Sequence, residues 1–476
     1  MSARLAPACL ALALLLASGV LASGAARAER RTILDSTYDD ADAGRAGAAS
    51  VAQQIGTIDD PTLVAYVQKI GDRLLRAVPQ RSFPYRFQVV DEAEPNAFAL
   101  PGGYIFISRG LLALVSSEDE LACVMGHEIA HVVKRHAAAR QGATRGQSAL
   151  VSPFLRAGRS AAYSRDLERT ADRDGQILCA AAGYDPRGLA SFLESLMRYE
   201  RLESGQLRDA GYFDSHPLSR ERASIAFVEA SELRWKRDPA VGDPVGSLLE
   251  RTEGLAVGQR PESGMFMGSV FIHPDLGFKL RFPPRWRTSN GGSVVGARAP
   301  QGDAVVYLTA DAQPGEPEQV AREWAQEGVA PTVRVRSSGP FRIGSLRGWQ
   351  MDLLGDAGGG QAVRSYVTFI PHRGQVWRVT GAGVAGPNLE STLLTARSFR
   401  PVNEEDRAIV HANRLRIVAA EAGEDLGTLT KRTDSAWSVL EVSVYNGGRS
   451  PTEPLEAGER VKIARSEPYD FDVTRE

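Results

Sequence analysis

The chain has 476 residues, which is too long for one ordinary domain and predicts two to four. Hydrophobic residues make up 43% of the sequence and charged residues 24%, which is the profile of a folded protein. Lys and Arg together number 56, and Asp and Glu number 58. A nucleic-acid-binding protein would normally carry a basic excess, so this near balance gives no reason to expect one.

The first residues predict a secretory signal. Arg4 supplies a positive charge, residues 5–22 are apolar, and Ala26–Ala28 has the A-x-A pattern of a cleavage site. A membrane anchor is the alternative, but the stretch is short for a span and carries that site. We therefore expect a signal peptide at residues 1–28, cleaved near Ala28-Glu29, and a periplasmic or secreted protein. No later stretch reaches the ~18 apolar residues of a transmembrane helix, so no span is expected in the mature chain.

The rest of the chain changes texture several times, which predicts a multidomain α+β protein. Apolar residues recur at helical spacing from Leu63 to Leu75, whereas Phe278, Leu280 and Phe282 alternate with charged residues as in a strand. The predicted sections are a flexible lead-in at 29–60, a mainly helical domain with a small sheet at 61–238, a linker at 239–264, a small α+β domain at 265–400 and a βααβ module at 411–466. In the α+β section, residues 320–327 form the one obvious helix.

The strongest motif is HExxH, formed by His127, Glu128 and His131. Apolar residues around it recur at helical spacing, so a helix is predicted independently of the motif. Positions i and i+4 share one helix face, and both imidazoles can therefore reach one Zn²⁺ ion. Glu128 then lies beside the metal, where it can take a proton from water. The alternative is a pair of hydrogen-bonded core histidines.

A catalytic zinc needs a third protein ligand, and a later predicted helix supplies a candidate. Glu168 and Asp172 are also four residues apart and project from one face. Glu168 can bind the metal, while Asp172 can accept a hydrogen bond from a ligand imidazole and fix its orientation. Taken without the HExxH motif, both would be ordinary solvated charges.

These motifs resemble the gluzincin zinc metallopeptidases of the HtpX/BepA type, peptidase family M48. Further support comes from the segments at residues 96–103 and 105–112, and the resemblance covers about Thr62 to Phe227. It implies a metalloendopeptidase with one Zn²⁺ ion per chain, acting on polypeptides. It also implies that Asn96 and Ala97 end an edge strand whose backbone pairs with an extended substrate.

The resemblance extends to His216-Pro217 followed by Arg222. In periplasmic members this histidine can occupy the fourth zinc position and hold the enzyme off. By chemistry alone His216 can instead stabilise the oxyanion, or be a plain surface histidine. Arg222 can steady either the oxyanion or a neighbouring carboxylate. His136, five residues after His131, is expected to point away from the metal and to be structural.

Two other features leave alternatives open. Cys123 and Cys179 lie in apolar helical stretches and are either buried small hydrophobes or a disulfide. Residues 411–466 resemble a degenerate LysM module, which implies either binding of N-acetylglucosamine polymers such as peptidoglycan or a purely structural role. Residues 265–400 resemble PsbP-like folds, which carries no function.

The function expected from these features is hydrolysis of unfolded or misassembled envelope proteins. The first alternative is a chaperone-like or cell-wall-associated binding protein with a silenced zinc site. The second is a peptidase that cleaves the cross-linking peptides of the cell wall.

Overall fold

The computed structural model describes residues 36–137, 164–203, 212, 216, 220–291, 294–328, 333–356 and 362–470. The predicted signal peptide and its cleavage site lie outside these residues. The chain forms two compact units. The first comprises Arg31–Gly258 and Ala412–Glu467, and the second comprises Gln259–His411 with the residues from Pro468 onward.

The first unit is mainly helical and contains one small sheet. Its helices are α1 (Thr37–Gln54), α2 (Pro61–Leu75), α3 (Arg109–Leu114), α4 (Glu118–Val133), α5 (Arg165–Ala181), α6 (Gly188–Glu203), α7 (Arg220–Glu232), α8 (Pro244–Thr252), α12 (Leu426–Arg432) and α13 (Val439–Tyr445). Its strands are β1 (Arg86–Val90), β2 (Ala97–Leu100), β3 (Tyr104–Ser108) and, apart from the end residues His411 and Pro468, β15 (His411–Ala419) and β16 (Arg460–Pro468).

The small sheet has the strand order β1-β3-β2. Strand β3 pairs in parallel with β1 and antiparallel with β2, so among the described strands β2 lies at an edge. A short 3₁₀ turn at Pro101–Gly103 joins β2 to β3, and Gly102 within it has a φ of 77°. Glycine adopts this left-handed conformation without strain, which lets the chain reverse tightly next to α1.

Residues 29–60 were expected to form a flexible lead-in. Helix α1 instead occupies much of this section. Ser36 caps the helix, and Asp39 completes a capping box. Helix α1 packs on the 3₁₀ turn, where a Cβ added to Gly44 would lie 1.9 Å from the carbonyl oxygen of Pro101. The buried face of α1 consists largely of small residues, so a pattern of large apolar residues does not reveal this helix in the sequence.

Residues 239–264 were expected to form a linker, but residues 244–252 of this section form helix α8. Asp243 caps this helix and Pro244 is its first residue, a combination that starts helices rather than interrupting them. Leu248 and Leu249 are buried, and α8 packs against α2 and α4. Residues 244–252 are therefore part of the helical core.

The C-terminal section has the expected βααβ order, formed by β15, α12, α13 and β16. It is not a separate compact domain, because residues 412–467 belong to the first unit. Helix α13 packs against α3 and α6. Strand β15 also exchanges backbone hydrogen bonds with the segment after α8, including one from Gly254 to the carbonyl oxygen of Leu415 at 2.8 Å.

The second unit is an antiparallel α+β structure. A seven-stranded sheet has the order β10-β11-β12-β13-β9-β8-β7, and a four-stranded sheet has the order β14-β6-β5-β4. The strands are β4 (Met265–Met267), β5 (Val270–His273), β6 (Phe278–Arg281), β7 (Arg287–Asn290), β8 (Val294–Arg298), β9 (Ala304–Pro314), β10 (Arg334–Ile343), β11 (Leu346–Asp356), β12 (Ala362–His372), β13 (Gln375–Gly383) and β14 (Arg400–Pro401).

The helices of the second unit are α9 (Pro317–Gly328), α10 (Pro387–Arg397) and α11 (Glu404–Ala408). The one helix expected in this section corresponds to α9, whereas α10 was not predicted. Helix α10 packs on the sheet through small and polar residues such as Thr392, which its composition did not mark as buried. Across the described residues of both units, we find no helix with the length and apolarity needed to span a membrane.

Candidate metal centre

The HExxH motif lies on α4, which begins after the cap Ser117. Helix α4 crosses α5 at a pair of glycines, where a Cβ on Gly126 would lie 2.7 Å from the carbonyl oxygen of Gly175. A Cβ on Gly175 would lie 2.6 Å from the backbone nitrogen of His127. Only glycine allows this approach, and it brings the acidic face of α5 against the histidines of α4.

A disulfide bond between Cys123 and Cys179 also joins α4 to α5. Both cysteines are fully buried, and 56 positions separate them in sequence. Of the two alternatives left open by the sequence, the structure shows the disulfide. It fixes the helix carrying HExxH to the helix carrying Glu168 and Asp172.

Four buried side chains converge: two from α4, one from α5 and that of His216. His127, His131, Glu168 and His216 each offer one nitrogen or oxygen atom, and these atoms all lie within 4.8 Å of one another. The Nε2 atoms of His127 and His131 are 2.9 Å apart, and His131 Nε2 lies 3.4 Å from Glu168 Oε1. His216 Nδ1 lies 3.2 Å from His127 Nε2 and 3.0 Å from Glu168 Oε1.

This arrangement fits zinc. Ligands bonded to zinc at about 2.0–2.1 Å in a tetrahedron lie about 3.3 Å apart, and the observed separations bracket that value. Without a cation, the two facing Nε2 atoms of His127 and His131 would have to share a proton. The other ring nitrogen of His127, Nδ1, lies against the carboxylate of Asp172, so its proton belongs on Nδ1 and Nε2 is left with a lone pair for a cation. Two or three imidazole nitrogens with one carboxylate oxygen form a donor set typical of catalytic zinc.

Glu128 lies beside this cluster rather than in it. It is buried, its carboxylate accepts a hydrogen bond from the backbone N–H of Ala99, and its Oε1 has no hydrogen-bond partner among the described residues. Burial raises the pKa of Glu128 well above its usual value, and the nearby Glu168 carboxylate raises it further. Its Oε1 is 3.5 Å from Nε2 of His216. The side chain is thus placed to exchange protons next to the metal-binding atoms.

Asp172 and Arg222 form the outer layer of the cluster. Asp172 Oδ1 is 2.9 Å from Nδ1 of His127. Arg222 binds Asp172 with two nitrogens, at 2.6 and 2.7 Å, and its third nitrogen lies 2.8 Å from Oε2 of Glu168. Although burial alone would raise it, Arg222 lowers the pKa of Asp172 to about 2. Of the two roles considered for Arg222, the structure places it on neighbouring carboxylates.

His216 is not a surface histidine. It is buried, and its ring stacks on that of Tyr212 with centroids 4.3 Å apart. Tyr212 packs in turn against Phe192, and its backbone N–H bonds to the carbonyl oxygen of Pro95, next to β2. Burial lowers the pKa of His216 to about 4. Pro217, the second residue of its motif, lies outside the described residues.

His136 lies outside the metal-binding cluster, on the side of His131 that faces away from its metal-binding atom, yet it contacts that ligand directly. Its Nδ1 lies 2.8 Å from Nδ1 of His131. Helix α4 ends at Val133, and Arg135 adopts a φ of 51° that turns the chain back and brings His136 against His131. A sequence search could have found this contact only by predicting where the helix ends.

Asn96 and Ala97 lie at the start of the edge strand β2, not at its end, and are not part of the metal-binding cluster. Both are buried. Asn96 is fixed by hydrogen bonds from its amide group to Glu92 and from its backbone N–H to Ser108, at 3.0 and 2.8 Å. Its Oδ1 atom is buried and lacks a hydrogen-bond partner among the residues that the structure describes.

Comparison with known proteins places this site in a family context. Residues 61–227 match the model of Peptidase family M48. The chain is 31% identical over 187 residues to the mitochondrial metalloendopeptidase OMA1 of Schizosaccharomyces pombe, which covers 36% of this chain and 55% of that protein. It is 30% identical over 201 residues to the β-barrel assembly-enhancing protease of Escherichia coli, covering 37% and 41%. The chain thus spans about half the length of these relatives.

Among solved structures, the cyanobacterial PsbP protein of Synechocystis aligns with 29% of this chain and 95% of its own chain. The sequence identity is 13% and the TM-score is 0.22, which is too low to support the PsbP-like fold suggested for residues 265–400. That assignment stays a prediction.

Proposed function

Because residues 61–227 belong to peptidase family M48, we propose that the chain is a zinc-dependent metalloendopeptidase that hydrolyses extended polypeptide segments. The observation that carries this proposal is the convergence of His127, His131 and Glu168, with the buried carboxylate of Glu128 beside them. Both relatives described above are named as proteases, which supports the same chemistry.

The residues of the chain have separable roles in this mechanism. His127, His131 and Glu168 would hold the zinc ion, which as a Lewis acid polarises the peptide carbonyl and activates water. Glu128 takes the proton of the attacking water and delivers it to the leaving amine, a task suited to its raised pKa. Asp172 accepts a hydrogen bond from the Nδ1–H group of His127, which keeps the proton on Nδ1 and leaves Nε2 free for the metal.

We infer that His216 fills the fourth metal position. Its Nδ1 atom lies 3.2 Å from His127 Nε2 and 3.0 Å from Glu168 Oε1. These distances are comparable with the 2.9 Å between His127 Nε2 and His131 Nε2 and the 3.4 Å between His131 Nε2 and Glu168 Oε1. Stacking on Tyr212 holds the ring in place. A catalytic zinc needs this position for water, so hydrolysis requires the His216 side chain to leave it. Its departure is therefore the natural point of control.

For the substrate, we propose unfolded or misassembled proteins of the cell envelope. The edge strand β2 can bind any extended peptide through main-chain hydrogen bonds, which demands little of the substrate's side chains. The buried disulfide Cys123–Cys179 suits an oxidising compartment, and the sequence of residues 1–28 suits export to the periplasm. The name of the Escherichia coli relative refers to β-barrel assembly, which favours the same setting.

A second candidate is a chaperone-like protein with a silenced zinc site, because His216 already lies within the ligand set.

Attachment to peptidoglycan through residues 411–466 has less support, since the loop at Gly447 packs on Ser116 and Arg198 of the same unit. We infer a structural role for these residues. Cosedimentation of the whole chain with purified peptidoglycan at physiological salt would contradict it.

The proposal is tested with the purified chain and fluorescently labelled casein, an unfolded substrate. We expect hydrolysis that a zinc chelator abolishes and added zinc restores. Glu128→Gln should abolish hydrolysis while retaining stoichiometric zinc, whereas the exposed control Glu200→Gln on α6 should leave both unchanged. Full activity of Glu128→Gln would show that another site acts. If neither the wild-type chain nor Glu128→Gln cleaves casein and both suppress aggregation of an unfolded protein, the chaperone-like function replaces the peptidase.

A further inference from the structure

The segment after the metal-binding helix turns back beneath it. Helix α4 ends at Val133, and Lys134 caps it. Arg135 then adopts a left-handed conformation with a φ of 51°, which is unfavourable for a residue that has a side chain. The turn returns the chain toward α4, so that the buried His136 reaches His131 from the side opposite the metal-binding atom.

The contact between the two histidines defines their proton positions. Nε2 of His131 belongs to the metal-binding cluster, so it must carry a lone pair rather than a proton when it binds zinc. The single ring proton of His131 is then on Nδ1. The N–H group points at Nδ1 of His136, 2.8 Å away, which must therefore accept a hydrogen bond from it. His136 thereby selects the tautomer of His131 that can bind a metal.

Helix α1 holds the strained residue in place. Nε of Arg135 lies 2.5 Å from Oδ2 of Asp40, and another of its nitrogens donates to the carbonyl oxygen of Ser36 at 2.9 Å. Asp40 is only 3% exposed, so its carboxylate is shielded from water and the pair is worth more than a surface ion pair. These contacts offset the cost of the left-handed turn.

The two histidine ligands therefore have different outer partners. His127 is oriented by the carboxylate of Asp172, which Arg222 in turn neutralises. His131 is oriented by the neutral imidazole of His136. The turn that carries His136 is in turn anchored to helix α1 by the ion pair between Arg135 and Asp40. Partners of this kind commonly contribute 10–100-fold to metal affinity.

We propose that His136 is a positioning residue for zinc and that Asp40 and Arg135 hold it in position, so that the N-terminal helix α1 contributes to metal affinity without touching the metal. This inference rests on the zinc site of the proposed function. It predicts that a change on α1 weakens zinc binding even though the ligands stay intact.

The test measures the zinc dissociation constant by competition with a chromophoric chelator. His136→Leu removes the acceptor and should weaken zinc binding about 10–100-fold. His136→Asn places an amide oxygen where Nδ1 was and should restore most of the affinity. Asp40→Asn should weaken binding severalfold, whereas Asp42→Asn, on the same helix but paired with Arg45, should not change it. The visible spectrum of the cobalt-substituted chain should shift in His136→Leu and return toward wild type in His136→Asn.

The outcomes separate the two proposals. Equal zinc affinity of wild type and His136→Leu, or equal weakening in His136→Leu and His136→Asn, would overturn the positioning role and leave the zinc site intact. A wild-type chain that binds no zinc would overturn the proposed function and this inference with it. Should His136→Leu fail to fold without metal, Asp40→Asn decides, because a purely structural role would lower the melting temperature of the apo chain and leave the dissociation constant unchanged.

Discussion

Lys462 donates hydrogen bonds from its Nζ atom to the carbonyl oxygens of Ala113 and Val115, at 2.7 and 2.8 Å. Lys462 lies on β16, is 1% exposed, and also approaches the carbonyl oxygen of Leu114. These carbonyls end α3, where no further helical turn can bind them. The C-terminal module thus satisfies buried backbone groups immediately before the metal-binding helix begins.

The first prediction concerns how much the contact between Lys462 and the end of α3 contributes to stability. Lys462→Met keeps the apolar part of the side chain but leaves buried carbonyl groups without a donor, so the free energy of unfolding should fall by about 2–3 kcal/mol. Urea unfolding of the whole chain measures it. Lys431→Met, at an exposed position on α12 of the same module, should change stability by less than about 0.5 kcal/mol. Equal effects of both substitutions would show that water reaches these carbonyls.

The second prediction concerns pH. Burial lowers the pKa of Lys462 from 10.5 to about 7, with the carboxylate of Glu120 opposing the shift. Between about pH 7 and pH 10.5 the unfolded chain therefore binds a proton that the folded chain does not, and the stability contributed by Lys462 rises with pH. Urea unfolding at pH 7, 8.5 and 10 should show wild type gaining stability relative to Lys462→Met. A constant difference would mean that Lys462 stays charged when folded.

The pairs of site residues that lie on one helix could be predicted from sequence, because their spacing along the chain decides which side chains share a helix face. His127 and His131, like Glu168 and Asp172, share a face through four-residue spacing on one helix, and helical periodicity shows that spacing directly. The structure brings these two faces together. That they meet could be expected only from the family resemblance, since nothing in a single helix specifies its neighbour.

The remaining features depend on tertiary contacts. The position of His136 depends on a left-handed residue at the end of α4, and the pairing of Cys123 with Cys179 depends on how two helices cross. The docking of residues 412–467 depends on Lys462, which in sequence resembles any solvated lysine of an alternating strand. Helix α1 was missed because glycine and alanine, rather than large apolar residues, form its contact face.

The third prediction concerns the outer partner of His127. Asp172→Asn keeps the shape but removes the charge that Arg222 and His127 share, so zinc affinity should fall about 10–100-fold. Chelator competition measures this. Asp166→Asn, exposed on the same helix, should leave the dissociation constant unchanged. If Asp172→Asn binds zinc like wild type, the carboxylate serves only to neutralise Arg222.

The fourth prediction concerns the disulfide. The loop closed by Cys123 and Cys179 spans 56 positions, for which the chain-entropy model gives a contribution of about 4 kcal/mol to stability. Cys123→Ala combined with Cys179→Ala should lower the urea midpoint, and a thiol reductant that opens the bond in the wild type should do the same. The double variant should then be insensitive to the reductant, and a reductant effect of equal size in it would assign the loss to another cause.

The fifth prediction decides what His216 does. Its Nδ1 atom lies within the metal-binding set, and a ligand in the fourth position excludes the water that hydrolysis needs. His216→Ala should therefore raise the rate of casein hydrolysis severalfold and weaken zinc binding, because one ligand is lost. Replacing an oxyanion-stabilising group would instead lower kcat by about 100-fold or more with zinc affinity unchanged. The double variant Glu128→Gln with His216→Ala should be inactive, which ties any gain in rate to this site. A lower rate at full zinc occupancy would assign His216 to catalysis and remove it as the point of control.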